Sequence, residues 1–246
     1  MDKLSYIAMT GVGQIARAQA INSHNLANAN TTGFRADLHD FRASPIEGPG
    51  FATRVNAVVG SAGWSDAQGA LRTTGNPTDV AVSRGGWLAV QAPDGTEAYT
   101  KAGDLRVNAV GQLVTGAQLP VIGDTGPVAI PPSSGVTVGA DGTISIIPLG
   151  QGAATSASVD RLKLVRPPAD LLIKGDDGLM RIADGTTAEA DASVSLTVGA
   201  LEGSNVNVVG GLISMIELAR QFEVQIRMID TANDNAEASA SIMRLN

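Results

Sequence analysis

Ten positions towards the C-terminal end, alternately three and four residues apart, constrain this chain more than any other feature. They are Leu212, Met215, Ala219, Phe222, Ile226, Ile229, Asn233, Ala236, Ala240 and Met243, and nine of the ten are apolar. An apolar stripe repeating every 3.5 residues stays on one side of an α-helix and faces a partner helix, as in a coiled coil. No proline interrupts residues 207–245, so the spacing predicts one helix on the order of 50 Å long. Glu223 and Arg227 add an i,i+4 pair of opposite charge on the outside. A helix of that length exceeds what capping a globule of 246 residues requires.

The first 29 residues are alanine-rich and free of proline, and they repeat the spacing. Leu4, Ala8, Gly11, Ile15, Ala18, Asn22 and Asn25 alternate four and three. An asparagine in an apolar seam weakens a coiled coil but fixes its register, because its amide must find a partner. Asn22, Asn25 and Asn233 occupy such positions. Asn28, Asn30 and Gly33 are residue types that tolerate the left-handed conformation, and they are expected to stop the first helix.

Between the helices the texture changes. DVAV (79–82), WLAVQA (87–92), TISIIPLG (143–150) and SVSLTVGAL (193–201) are short β-rich runs separated by Gly, Pro and Asp-Gly turns. Aromatic content is only 3% within 43% hydrophobic residues, so the core must come from Val, Leu, Ile and Ala. The expected fold class is α+β, an all-β hairpin-rich central domain with N- and C-terminal α-helices that pair as a coiled coil. The expected divisions are an N-terminal helix over 1–34, an extended linker over 35–72, a β-rich outer domain over 73–205 and a C-terminal helix over 206–246.

Net charge is −7, and the few arginines are scattered. Nucleic-acid binding needs a basic face, and none is present; the same balance opposes an anionic membrane surface. The absence of cysteine removes disulfides, thiolate nucleophiles and cysteine-based metal sites. No run reaches the roughly 18 apolar residues of a membrane span. Asp2, Gln14 and Arg17 interrupt the N-terminal apolar stretch, which does not read as a cleavable signal peptide.

Several short motifs suggest chemistry, and each has a plainer reading. Gly11-Val-Gly13-Gln-Ile-Ala16, after SYIAM and with Asp37 beyond, fits a dinucleotide fingerprint but lacks its βαβ context. Asp124-Thr-Gly126 is an aspartic-protease tripeptide, yet a single copy would need a homodimer to share the proton; a turn between strands explains it as well. Asp176-Asp177-Gly178 and Asp141-Gly142 lack the spaced ligands of a calcium loop and read as hairpin turns. His24 and His39 have no nucleophile motif to serve, and they read as solvated or interface residues. No catalytic, cofactor or metal site is expected.

Four stretches together resemble one family. They are HNLANANTTGFRAD (24–37), TGNPTDVAV (74–82), YTKAGDLRVNAVGQLVTGAQLPVIG (99–123) and EGSNVNVVGGLISMIELARQFEVQIRMIDTAND (202–234). This combination is similar to the rod and hook axial proteins of the bacterial flagellum. SMIELARQFEVQIRMI and the short FRASPIEGPGFATRVNAVVGSAGW (41–64) are most similar to the proximal rod members, with distal rod members as the alternative. The resemblance implies export through the flagellum's own channel into the periplasmic basal body. It implies terminal helices that order on assembly into a hollow tube, with the β domain outside. The implied partners are copies of the chain, other rod proteins, and peptidoglycan-spanning and bushing components around the rod; neither nucleic acid nor a small-molecule substrate is implied. The stripe residues of both helices are then the expected assembly interface. Gly210-Gly211 depart from the helix formers usual there, which leaves the second helix starting at either Asn207 or Leu212. A self-assembling surface fibre is the remoter alternative.

Overall fold

The computed structural model describes residues 2–45, 55–150 and 155–244, without the side chains of residues 2–4 and 61. The chain divides into two compact units, one of residues 1–29, 37–64 and 206–246, the other of residues 30–36 and 65–205.

The first unit holds two helices and a β-ribbon. Helix α1 spans Asp2–Ala27 and runs unbroken through Gly11 and Gly13. SYIAM is helical, so the strand required by a dinucleotide-binding reading is absent. Helix α2 spans Val208–Arg244, 37 residues, or about 55 Å at 1.5 Å per residue. Its start is set by Asn207, whose Oδ1 accepts the Gly210 N–H at 3.0 Å. That bond is an N-cap satisfying one of the unpaired first-turn amides, and it explains why the helix begins ahead of the two glycines. Strands β1, Asp37–Pro45, and β2, Val55–Trp64, pair antiparallel with Phe41 opposite Val59. Part of the stretch expected as an extended linker is therefore a paired ribbon. A lone two-stranded ribbon is marginal in water, and this one leans on α1. Val59 packs with Ile15, Ala18 and Leu218, and its N–H donates to Gln14 Oε1 at 2.9 Å.

Among the described residues the second unit is all β apart from a 3-10 turn at Ala169–Leu171. A five-stranded antiparallel sheet runs in the order Leu164–Val165, Trp87–Gln91, Glu97–Thr100, Met180–Ile182, Leu172–Lys174. Beside it lie a three-stranded meander, Ser133–Val138, Thr143–Pro148 and Ala157–Arg161, and several two-stranded ladders. Among those ladders, Val80–Val82 pairs with Leu196–Val198, and Leu71–Thr73 with Ala200–Glu202. The core is aliphatic, centred on Val80, Leu88, Leu105, Leu113, Ile144 and Leu162. Tyr99, one of the few aromatics, is buried, and burial pushes its phenol up to about 12. Its hydroxyl accepts the Ala188 N–H at 2.6 Å and donates to Glu97 at 3.0 Å. The turns are built as expected. Asp94, Asp141 and Asp184 each accept both the N–H and the hydroxyl of the threonine two residues on, and those bonds hold the three carboxyls below the usual range.

The sheet yields a paired test. Leu88 is fully buried, whereas Ile173, on an outer strand of the same sheet, is 56% exposed. Leu88→Ala should cost about 2–5 kcal/mol, and Ile173→Ala should stay within about 0.5 kcal/mol, both measured by urea denaturation.

Candidate assembly surface

The two helices meet antiparallel. Asn22 Nδ2 donates to the Gly211 carbonyl at 2.7 Å, Ile15 and Ala18 pack on Leu218, and Gly11 lies against Gln225. Helix α1 thus presents the expected stripe to its partner: Gly11, Ile15, Ala18 and Asn22. Ala8 is buried as well, Asn25 is half-buried, and the Leu4 side chain lies outside the described residues.

Helix α2 answers with a different stripe. The residues turned to α1 are Gly211, Leu218 and Gln225, seven apart, and Ala232 continues the series as a buried residue. The stripe from Leu212 to Met243, expected as the assembly interface, is therefore not the one turned to α1. Of those positions Met215, Ile229 and Ala240 are half-buried, while Leu212, Ala219, Phe222, Ile226, Asn233, Ala236 and Met243 are exposed. A one-residue shift is a rotation of about 100°. Its cause is the size of the α1 side chains. Gly11, Ala18 and Asn22 are small or polar, so the contact favours a close approach. A Cβ on Gly211 would stand only 3.3 Å from Asn22 Oδ1.

The face of α2 turned away from α1 carries a broad band of bare apolar side chains. Leu212, Ile213, Ile216, Val224, Ile226 and Met228 are all exposed, and at about 100° per residue they spread over roughly 200° of the helix, interleaved with exposed Glu217, Arg220, Glu223 and Arg227. Among the described residues of α2 only Leu218 and Ala232 are buried. A helix with this much bare apolar surface marks a place of contact with other protein.

The asparagines perform separate tasks. Asn22 fixes the α1–α2 height, as a register residue should. Asn28 Nδ2 donates to the His24 carbonyl at 3.0 Å and closes the end of α1. Asn25 turns to β1 instead, accepting the Asp37 N–H and donating to the Asp37 carbonyl, both at 2.8 Å. His24 adds a 2.9 Å contact to the Asp37 carboxylate, and His39 meets Phe41 edge-on.

Gly33, Phe34 and Arg35 belong to the β unit. Gly33 has φ +70° and lies so close to the Lys101 backbone that a Cβ would come within 2.3 Å of it. Its N–H donates to the Glu202 carbonyl at 2.8 Å. Arg35 Nη1 then stands 2.8 Å from Glu202 Oε1, with the side chains 2% and 0% exposed. The approach is off the N–H direction, since Nη1 has no hydrogen-bond partner, so the contact is ionic. Glu202 Oε1 also accepts the Gly69 N–H at 2.9 Å. Lys101, 1% exposed, and Arg35 both lie over the Trp87 ring, at 5.2 and 5.8 Å. Burial pushes the Lys101 ammonium down to about 8, against the opposing pull of Glu202. Sequence reasoning missed this cluster; its one trace was a lone glutamate closing the apolar run SLTVGALE.

The aspartate–glycine motifs weighed for chemistry are turns. Asp124 and Thr125 join Ile122–Gly123 to Gly126–Pro127, and Asp177 closes a hairpin by accepting the Leu179 N–H. Among the described residues no group of three or more His, Cys, Asp or Glu is placed to hold a metal ion, and no helix is long and apolar enough to cross a membrane.

Three segments match family models. Residues 6–35 match the flagella basal body rod protein family, residues 81–146 the flagellar hook protein FlgE/F/G D1 domain, and residues 197–242 the flagellar basal body rod FlgEFG protein C-terminal region. The chain is 41% identical to the flagellar basal-body rod protein FlgF of Escherichia coli (strain K12), with all of both chains covered. It is 42% identical to FlgF of Salmonella typhimurium (strain LT2) over 96% of each. The flagellar basal-body rod protein FlgG of Buchnera aphidicola subsp. Schizaphis graminum is 30% identical, over 93% of this chain and 95% of the other.

The buried lysine gives a pH test. In the unfolded chain Lys101 titrates near 10.5, in the folded chain near 8. Between those values the unfolded chain holds a proton that the folded chain has lost, so stability rises with pH. From pH 8 to 9.5 the parent should gain on Lys101→Met, by at most about 1.4 kcal/mol per pH unit, as read by urea denaturation at each pH. A constant difference between the two would count against a buried, proton-losing Lys101.

Proposed function

The chain belongs to the flagellar basal-body rod protein family and is a structural subunit of that rod, and we propose that it builds the rod's proximal segment. There it polymerises through its helices into the wall of a hollow drive shaft that carries torque from motor to hook and lets exported subunits pass. The observation that carries the proposal is α2, which bares a broad band of apolar side chains and has only two of its described residues buried. Covering that band requires other subunits as well as α1. The exposed positions of the predicted stripe, Leu212, Phe222 and Ile226 among them, are the surface these neighbours would cover. Met215 and Ile229, half-buried in the single chain, would be sealed by the same contacts. Asn22, already bonded to α2, would keep each helix pair at one height in a wall of near-identical helices.

Placement in the proximal segment rests on the likeness to FlgF proteins over the whole chain, at 41% and 42% identity, and on the short 41–64 stretch. The site is then the periplasmic part of the basal body, reached through the flagellar export channel. The lateral partners are other rod proteins, with peptidoglycan-spanning and bushing components outside.

Quantitative mass spectrometry of purified hook–basal bodies, scaled to the hook protein, tests the placement. A few copies per particle is the expected result; a clearly larger number would move the chain to the distal rod, and absence would overturn the assembly role. A double substitution tests the surface. Ile216→Asp with Ile226→Asp puts charge on residues exposed in the single chain, 57% and 38%. The purified chain should keep its β-sheet circular dichroism while motility falls to that of a strain lacking the protein, because burying an unpaired carboxylate is too costly for assembly. Normal swimming would count against α2 as the assembly surface.

A further inference from the structure

The chain passes between its two units four times, after residues 29, 36, 64 and 205. At one of these crossings the β unit's last residue is Asn205, and its side chain binds the boundary residues of two others, Ala36 and Ser65. Asn205 Oδ1 accepts the Ala36 N–H at 2.7 Å, and Asn205 Nδ2 donates to the Ser65 carbonyl at 2.9 Å and to the Ala67 carbonyl at 2.8 Å. Two backbone bonds finish the knot, Ser65 N–H to the Ala36 carbonyl at 2.8 Å and Asn205 N–H to the Phe34 carbonyl at 3.3 Å.

We infer that Asn205 is a mechanical junction, its amide fastening together three points at which the chain leaves the β unit for the helix unit, so that force on the helices enters the β unit through all three connections at once. The residue type suits the task. One acceptor and two donors on a short rigid stem meet one N–H and two carbonyls; aspartate has no donor, and serine offers one. Connections fastened in parallel share a load, whereas separate ones peel in turn, each at the strength of a single hydrogen bond. The inference rests on the reading of the chain as a torque-bearing subunit, but the knot can be tested without it.

Hydrogen exchange on the purified full-length chain is the first test. In Asn205→Ala the amides of Ala36 and Ser65 should exchange about ten-fold faster, the factor for losing about 1.4 kcal/mol of hydrogen bonding, while the core amide of Ala89 keeps its rate. In Asn205→Asp the Ala36 amide keeps an acceptor and its protection, and the Ser65 amide alone speeds up. Unchanged exchange at both junction amides would overturn the inference, as would a uniform rise that includes Ala89, since Asn205 would then only stabilise the unit as a whole. The second test is swimming. Cells carrying Asn205→Ala should assemble basal bodies in parental number, swim in dilute medium and stall as viscosity rises. Loosened junction amides with parental swimming at every viscosity would overturn the load-sharing role. Failure of the rod reading would show separately, as absence of the parent chain from purified basal bodies.

Discussion

Arg35 and Glu202 can leave water only together. Each side chain is almost wholly buried, and a lone charge in either place would be strongly destabilising. Their contact fixes how the β unit closes on itself. It holds the segment that follows α1 against the strand that precedes α2, and the Gly33, Phe34 and Asn205 backbones bond across the same line. Trp87 lies against both cations, and Glu202 also binds the Gly69 amide. Two stretches more than 160 residues apart in sequence thus become neighbours through groups that cannot be replaced singly. A buried pair of this kind adds little net stability, but it admits few alternative arrangements, which suits a chain whose two ends must arrive in step.

Much of this was legible in advance. Alanine-rich, proline-free ends gave helices, and β-rich runs between Asp-Gly turns gave a sheet domain, because local propensity and tertiary need agree there. On α1 the residues turned to α2 are those of the 3.5-residue stripe. The α2 residues turned to α1 were not legible. With apolar residues spread over much of that helix, several 3.5-residue stripes fit, and counting favoured the most hydrophobic. The contact instead uses Gly211, Leu218 and Gln225, chosen by how closely α1 can approach. Apolar count measures transfer from water, whereas the pairing of two helices within a chain also depends on shape.

The asparagines show a second limit. Position within a heptad pointed to Asn22, whose amide does reach the facing helix. The same rule did not foresee that the Asn25 amide imitates a neighbouring strand for Asp37, and it was silent on Asn205, whose partners lie far away in sequence. An amide side chain carries a donor and an acceptor like the backbone itself, so it can finish secondary structure anywhere, and its sequence neighbours do not reveal where. Turns behave differently. Asp94, Asp141 and Asp184 bond to residues two places on, so their roles were plain from local spacing, as was the structural reading of Asp124.

The exposed faces of α2 bear on how the chain is handled before it reaches its place. A helix whose burial is supplied by neighbours has no fixed stability of its own; by mass action its order grows with the local supply of subunits. Dilute, it has only α1 for support and frays readily, and its bare isoleucines are a liability for indiscriminate clumping. In the proposed assembly, crowded at a growing tip, the same helix would stiffen. Rigidity would then be conferred at the moment of incorporation, and a subunit that strayed elsewhere would stay soft.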